Sequence, residues 1–178
     1  MKNRMGLILV LLALGASSAV AKTSSAPPRG LADTQLAPQS VATAKSGEAL
    51  LAAGQRQAAV DAFEAALAAD PRNIRAYLGL AKAAEADGLP GKAVRFYREA
   101  LQIDPNDVTA LELQGNALMV RGATARAESN LERLKAVCEK PCAPADRLAA
   151  TIAKGPPAPK LAAKTPDSKT ASLETVKP

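Results

Sequence analysis

The sequence contains no histidine and no tryptophan, and two phenylalanines and two tyrosines are its only aromatic residues. Without histidine, the chain lacks the commonest metal ligand of proteins and the commonest acid–base group at neutral pH. Two cysteines are too few for a structural zinc site, which needs about four ligands. There is also no glycine-rich phosphate loop and no pattern of paired acids. We therefore expect no enzymatic activity, no metal site and no cofactor.

The residues that are abundant favour helices. Hydrophobic residues make up 48% of the chain, and alanine is the most frequent of them. Alanine is the best helix former, whereas the aromatic and β-branched residues that favour strands are scarce. The formal net charge of +6 is a mild bias spread along the chain. With so few aromatic residues, it does not indicate a nucleic-acid-binding surface.

The first 21 residues are typical of a signal peptide. Lys2 and Arg4 precede a short apolar run over 7–14, and Ala19-Val20-Ala21 fits the small-residue rule for cleavage after Ala21. An uncleaved anchor is the alternative, but the apolar run is shorter than the roughly 20 residues that span a bilayer. We expect a periplasmic or secreted protein with no stable membrane anchor after cleavage.

The segments 22–39 and 154–178 are rich in proline and small polar residues and lack a sustained apolar period. We predict a flexible linker over 22–39 and a disordered, lysine-bearing tail over 154–178. A tail that adheres to an anionic surface is an alternative to one that is simply solvated. The folded domain is then expected over 40–153.

Within this domain the sequence repeats with a period of 34 residues, which is marked by Gly54, Gly88 and Gly122. Three further series keep the same spacing: Ala59, Ala93 and Ala127; Phe63, Tyr97 and Leu131; and the closing Asp70-Pro71 and Asp104-Pro105. The repeat units are 40–73, 74–107 and 108–141. The pattern predicts two helices in each, over 40–53, 56–69, 74–87, 90–103, 108–121 and 123–137, with Asn73 and Asp107 as N-caps.

This order of small, aromatic and closing proline residues resembles the tetratricopeptide-repeat family over residues 40–137. Small residues midway along the first helices, Gly47, Ala81 and Gly115, would let antiparallel helices approach closely. The third unit departs from the pattern, because Leu134 replaces a small residue and the closing proline is missing. The resemblance implies an all-α solenoid of about three helix hairpins, with a degenerate last unit and a capping helix at the C-terminal end.

In this family the first helix of each unit lines a concave groove that binds peptides or helices of partner proteins. The groove residues implied here are Arg75, Leu78, Lys82, Glu112, Asn116 and Met119. Members that hold a C-terminal carboxylate use a clamp of basic and amide side chains. The matching positions here carry Ala44, Glu48, Gly79, Thr109 and Leu113, so we expect a partner to be gripped along its side instead.

Cys138 and Cys142 enclose three residues, and three readings are open. In an exported protein they most simply form a structural disulfide. Free or exchanging thiols and a metal site are the alternatives, although the spacing differs from a thioredoxin-like motif. A disulfide would fix the turn before a capping helix over 144–153, in which Leu148 and Ile152 share one face.

These expectations together favour a periplasmic adaptor or assembly factor for a cell-envelope machine, such as a pilus or a secretion system. The chain is weakly similar to tetratricopeptide-repeat proteins of Flp/Tad pilus assembly. A self-associating structural scaffold is the alternative, which the capping helix disfavours, and a thiol-redox enzyme is the least favoured. The identity of the partner and the oligomeric state are not encoded in the pattern.

Overall fold

A computed structural model describes residues 31–157, so the expected signal peptide, the first half of the linker and most of the tail lie outside the described residues. Within this range the chain forms a short 3₁₀ helix and seven α-helices, and none of its residues is in a strand. None of these helices is long and apolar enough to cross a membrane. The α-helices are α1 (Pro38–Ala52), α2 (Arg56–Ala69), α3 (Ile74–Ala86), α4 (Pro90–Ile103), α5 (Val108–Val120), α6 (Thr124–Val137) and α7 (Ala143–Lys154).

The helix boundaries follow from local sequence signals. The side chains of Asn73 and Asp107 accept hydrogen bonds from the amides of Ala76 and Ala110, which confirms both predicted N-caps. Gly54, Gly88 and Gly122, one after each first helix, have φ of +76°, +72° and +72°, a conformation that glycine adopts without strain. The three predicted hairpins are therefore present, with ends displaced by one or two residues.

The part of the expected linker that is described packs against the first hairpin. Leu36 is only 7% exposed, and the amide of Ala37 donates a hydrogen bond of 3.1 Å to the Asp70 carboxylate. Hydrogen bonds from Arg72 hold the pKa of Asp70 well below its usual range. Helix α1 starts at Pro38, before the predicted Ser40, because proline is favoured in the first turn of a helix. Residues 31–39 thus belong to the folded domain.

The first two hairpins are held together around the ring of Phe63, which is fully buried. A methyl group added at Gly47 of α1 would lie 2.7 Å from this ring, and one added at Gly79 of α3 would lie 2.2 Å from it. The ring therefore fills space that exists only because both first helices lack a side chain there. The sequence predicts close approach at Gly47, but it indicates Gly79 only as a position that matches the carboxylate clamp.

Buried hydrogen bonds join the same two hairpins. The Ser40 hydroxyl donates to the carbonyl of Ala66 at 2.8 Å and accepts from the Asn73 amide at 2.8 Å. Ser40 and Asn73 are 0% and 1% exposed, so an unmade bond here would leave a buried polar group unsatisfied. The position of α3 on the first hairpin is thus specified by polar groups as well as by packing.

The third hairpin is closed by α7, which packs against both α5 and α6. Leu148 of α7 is fully buried, and a methyl group at Gly115 of α5 would lie 2.6 Å from it. Leu134, which departs from the repeat pattern, is also fully buried in the cluster that contains Leu148. The larger side chain thus packs in the core between the last unit and its cap.

The cysteines lie at the turn that leads into α7. Cys138 and Cys142 are at disulfide distance, with Cα atoms 5.7 Å apart, which agrees with the predicted disulfide. Cys142 is 8% exposed and shares the core cluster with Leu134 and Leu148. No group of three or more histidine, cysteine or acidic side chains in the described range could hold a metal ion.

We predict that Gly79→Ala destabilises the domain by about 1–3 kcal/mol, because the new methyl group would displace the Phe63 ring from a close-packed core. The loss should exceed the gain in helix propensity from replacing glycine. Urea unfolding followed by circular dichroism measures it. Gly91→Ala in α4 is the matched control, since its methyl group would meet only Arg121, at 3.8 Å. Equal stability of the two variants would contradict this account.

Candidate partner-binding groove

The predicted groove residues lie on the first helices of the second and third hairpins, α3 and α5. Helix α1 contacts α3, and residues of α3 and α5 share one core cluster with Met119 and Ala84 among its members. The structure therefore arranges the first helices as neighbours, as the hairpin pattern predicts. The environments of the six predicted side chains nevertheless differ from one another.

At the N-terminal end of this surface, Arg75 is part of an ion-pair network. Its guanidinium lies 3.1 Å from the Glu48 carboxylate and 3.7 Å from the Asp33 carboxylate. The amine of Lys45 lies 3.4 Å from Asp33 as well. All four side chains are more than a third exposed, so these pairs are screened by water and contribute little to stability. A partner carboxylate could replace Asp33 or Glu48 at small cost.

In the middle of the surface, Lys82 is exposed and Leu78 is partly buried against two core clusters. Glu85, one turn further along α3, is half-buried and accepts a hydrogen bond of 3.1 Å from the Tyr97 hydroxyl. Burial raises the pKa of Glu85, and burial together with the Glu85 charge raises the pKa of Tyr97. The phenol of Tyr97 is thus held neutral beneath the surface.

At the C-terminal end, Asn116 presents an unused acceptor. Its side chain is partly buried, and its Oδ1 is buried with no hydrogen-bond partner among the described residues. A buried carbonyl of this kind costs about 1–3 kcal/mol when it is left unsatisfied. Rotation of this amide would bring its oxygen to the surface, where an N–H group from a bound segment would remove that cost.

Glu112 and Met119 are closed to a partner in this structure. Glu112 is 8% exposed, and both of its carboxylate oxygens accept hydrogen bonds of 2.6 Å from Arg147 of α7. Met119 is 1% exposed and belongs to the core cluster against which Ile152 packs. Both side chains are covered because α7 packs on α5. Arg75, Leu78, Lys82 and Asn116 are therefore the predicted groove residues that α7 leaves uncovered.

Sequence reasoning missed Asp33 and Arg147, which pair with predicted groove residues. A signal for Arg147 existed: it follows Glu112 by 35 residues, close to the period of the repeat. Residues about one period apart lie at neighbouring places on successive hairpins, as Ser40 and Asn73 also do. Asp33 lies before the first repeat, so the period gave no indication of it.

The five positions of a carboxylate clamp do not form one here. Ala44 is fully buried, Gly79 faces Phe63, and Glu48 is paired with Arg75. Thr109 is exposed, and Leu113 is partly buried in the core. An acidic and mostly apolar set offers no cation to a chain-terminal carboxylate.

The fold is a solenoid of helix hairpins. It is defined by paired antiparallel helices, a regular period and large side chains packed against glycines. A family model described as "Tetratricopeptide repeat" matches residues 45–108. The sequence of this segment thus matches the tetratricopeptide-repeat family, and residues 31–157 have an all-α solenoid fold similar to that of solved tetratricopeptide-repeat proteins. No curated protein matches the chain.

Three solved structures illustrate the likeness in fold. The tetratricopeptide-repeat domain of Sgt2 from Aspergillus fumigatus is 23% identical, with a TM-score of 0.61, over 79% of this chain and 98% of that one. The Yersinia enterocolitica type III secretion chaperone SycD, in complex with a peptide of the translocator YopD, is 20% identical, with a TM-score of 0.58, over 70% and 93%. The first repeat domain of Spaghetti (RPAP3), bound to the HSP90 peptide SRMEEVD, is 18% identical, with a TM-score of 0.60, over 66% and 92%.

We predict that Tyr97 resists ionisation in the folded protein. In a Tyr77→Phe variant, which leaves Tyr97 as its only tyrosine, phenolate absorbance should rise near pH 10 in urea but only at a clearly higher pH in buffer. Because the pKa is raised in the native state, stability should fall as pH rises above about 10, where only the unfolded chain ionises. Identical titration curves in urea and buffer would contradict the prediction.

We predict that Arg147→Met loosens α7, because it leaves the buried Glu112 carboxylate without its partner. Hydrogen–deuterium exchange over 143–154 should become faster, while exchange over α3 and α4 stays unchanged. Lys154→Met removes the same charge from an exposed position of the same helix and is the control. Unchanged exchange in α7 of the Arg147 variant would show that the ion pair does not hold the helix.

Proposed function

We propose that this chain is a protein–protein interaction module that binds an extended or helical segment of a partner across α1, α3 and α5. The observation that supports this most directly is the buried, unpartnered Oδ1 of Asn116. Native proteins rarely leave such an acceptor unused unless another group completes it. When the Asn116 amide rotates toward a bound segment, a donor on the partner would supply the missing hydrogen bond.

The neighbouring side chains suit the same kind of partner. Leu78 offers an apolar contact, Lys82 an exposed cation near the Glu85 carboxylate, and Arg75 a cation whose present partners are exposed and exchangeable. A segment with an apolar residue near an acidic one would complement this set. The similar folds of SycD and RPAP3 were each solved with a bound peptide, which supports peptide binding as the use of the fold.

The proposed setting is the periplasm, where the protein would act as an adaptor or assembly factor for a cell-envelope machine such as a pilus or a secretion system. The support for export is the sequence of residues 1–21 and the cysteine pair at disulfide distance. A self-associating scaffold is less favoured, because α7 covers the C-terminal face on which a further repeat would stack.

We predict that a photo-crosslinking residue at Lys82 forms an adduct with a specific envelope protein in living cells. Lys82 is exposed beside Leu78 on the proposed surface, so a bound segment should lie within reach. Mass spectrometry identifies the adduct, and the mass of the recovered chain tests whether it begins at Lys22 in the periplasmic fraction. Arg95 on α4, exposed and outside the surface, is the matched control position.

Equal adducts at Lys82 and Arg95, or none at Lys82, would count against the groove. An adduct at Lys82 with a second copy of this chain would instead support the scaffold. A chain recovered with residues 1–21 intact in the cytoplasm would remove the periplasmic setting but leave the binding surface untouched.

A further inference from the structure

A second candidate site lies between α4 and α6, with α5 as its floor. It is an open cleft of about 320 Å³. Three arginines line it, Arg98 from α4 and Arg126 and Arg133 from α6, and no acidic side chain is among its lining residues. The remaining lining groups include the polar side chains of Gln114, Ser129 and Asn130.

Helical spacing explains why these side chains meet. Arg126, Ser129, Asn130 and Arg133 occupy positions i, i+3, i+4 and i+7 of α6, so they form one stripe along the helix. Arg98 reaches the same cleft from the second helix of the preceding hairpin. The two helices therefore direct their basic residues into one space.

The floor of the cleft is rigid and polar. Asn130 Nδ2 donates hydrogen bonds to Gln114 Oε1 at 3.0 Å and to the Leu111 carbonyl at 3.1 Å. Gln114 Nε2 donates to the Val94 carbonyl at 3.3 Å, and both amide side chains are at most 6% exposed. This network ties α6 to α5 and α4 at Asn130, one turn from each of the arginines at 126 and 133. The helices that carry the arginines are therefore held in fixed positions, which favours specific binding over diffuse attraction.

The three guanidinium groups are poorly neutralised within the described part of the chain. The Arg126 guanidinium makes no hydrogen bond or ion pair there. Arg98 has one weak pair, at 3.4 Å, with its neighbour Glu99, and both side chains are exposed. Arg133 donates to the carbonyl of Pro105, which carries no full charge. Glu132, the acid next to Arg133, is paired with Lys135 at 2.9 Å.

We propose that this cleft binds a phosphoryl group, carried by a small molecule or by a lipid headgroup. The guanidinium fork matches phosphate oxygens bidentately, and a phosphoryl group has enough oxygens to engage several arginines at once. A single carboxylate has only two oxygens to share among three guanidiniums. The volume exceeds that of one phosphate, so the ligand has room for a second phosphoryl group or a sugar-sized substituent.

This site is independent of the proposed groove. Gln114 and Leu118, which line the cleft, follow the groove residues Glu112 and Asn116, respectively, by two residues. Two residues correspond to about 200° of rotation around a helix, so the two sets lie on opposite sides of α5. Neither the existence of a partner protein nor the periplasmic setting is needed for the cleft to bind an anion.

Isothermal titration calorimetry of the full-length mature chain with inorganic pyrophosphate tests the proposal. We expect saturable binding at one site, weakened about tenfold to a hundredfold by Arg126→Gln, since a hydrogen bond to a charged group is lost. Arg95→Gln removes the same charge from an exposed position of α4 outside the cleft and should change affinity less than twofold. Circular dichroism checks that both variants keep their helices.

Sedimentation with phosphatidylglycerol and phosphatidylcholine vesicles distinguishes the two sources. Binding only to the anionic vesicles, lost in Arg126→Gln and displaced by pyrophosphate, would assign a lipid headgroup. Pyrophosphate binding without vesicle binding would assign a soluble phosphoryl ligand. Absence of both, equal losses in the Arg126 and Arg95 variants, or equal affinity for citrate would each overturn the proposal.

Discussion

The structure depends on large side chains seated against glycines of neighbouring first helices. The Phe63 ring occupies the space left by Gly47 and Gly79, and Leu148 occupies the space left by Gly115. A hairpin of two amphipathic helices cannot bury its apolar face alone, so each hairpin must pack a large side chain against a glycine of its neighbour. Because interiors are packed as densely as organic crystals, one added methyl group at these points forces a shift of the whole contact.

The same constraint determines where the binding surface ends. Leu148 places α7 against α5 in the way that Phe63 places the first hairpin against α3, and the bidentate pair of Arg147 with Glu112 holds it there. With α7 in this place, Glu112 and Met119 become buried. The capping helix therefore has two effects: it covers the last apolar face, and it shortens the accessible groove. Asn116 is then the polar residue at the C-terminal end of the groove.

The repeat and the residues that begin and end its helices could be predicted, because they depend on contacts between residues close in sequence. Asn73 and Asp107 cap helices and Gly88 ends one for reasons that involve only nearby backbone. The burial of individual groove residues could not be predicted, because it depends on how α7, a segment outside the regular repeat, is rotated on α5. The packing of Leu36 and the ion pairs of Asp33 could not be predicted from the sequence for a related reason. A short segment without periodicity does not indicate which surface it packs against.

Helix α5 carries both the groove and the arginine-lined cleft, so the question arises whether a ligand at one affects the other. A ligand shifts an equilibrium only if it contacts two conformational states differently. Here α5 is seated on Leu148 through Gly115, and Gln114 is locked to Asn130 and to the Val94 carbonyl. Because these contacts hold α5 in place, we expect an anion in the cleft not to change its arrangement. The fold therefore favours two additive sites on opposite sides of one rigid helix, and any coupling would have to pass through α7, the element held on α5 by an ion pair with a half-exposed arginine.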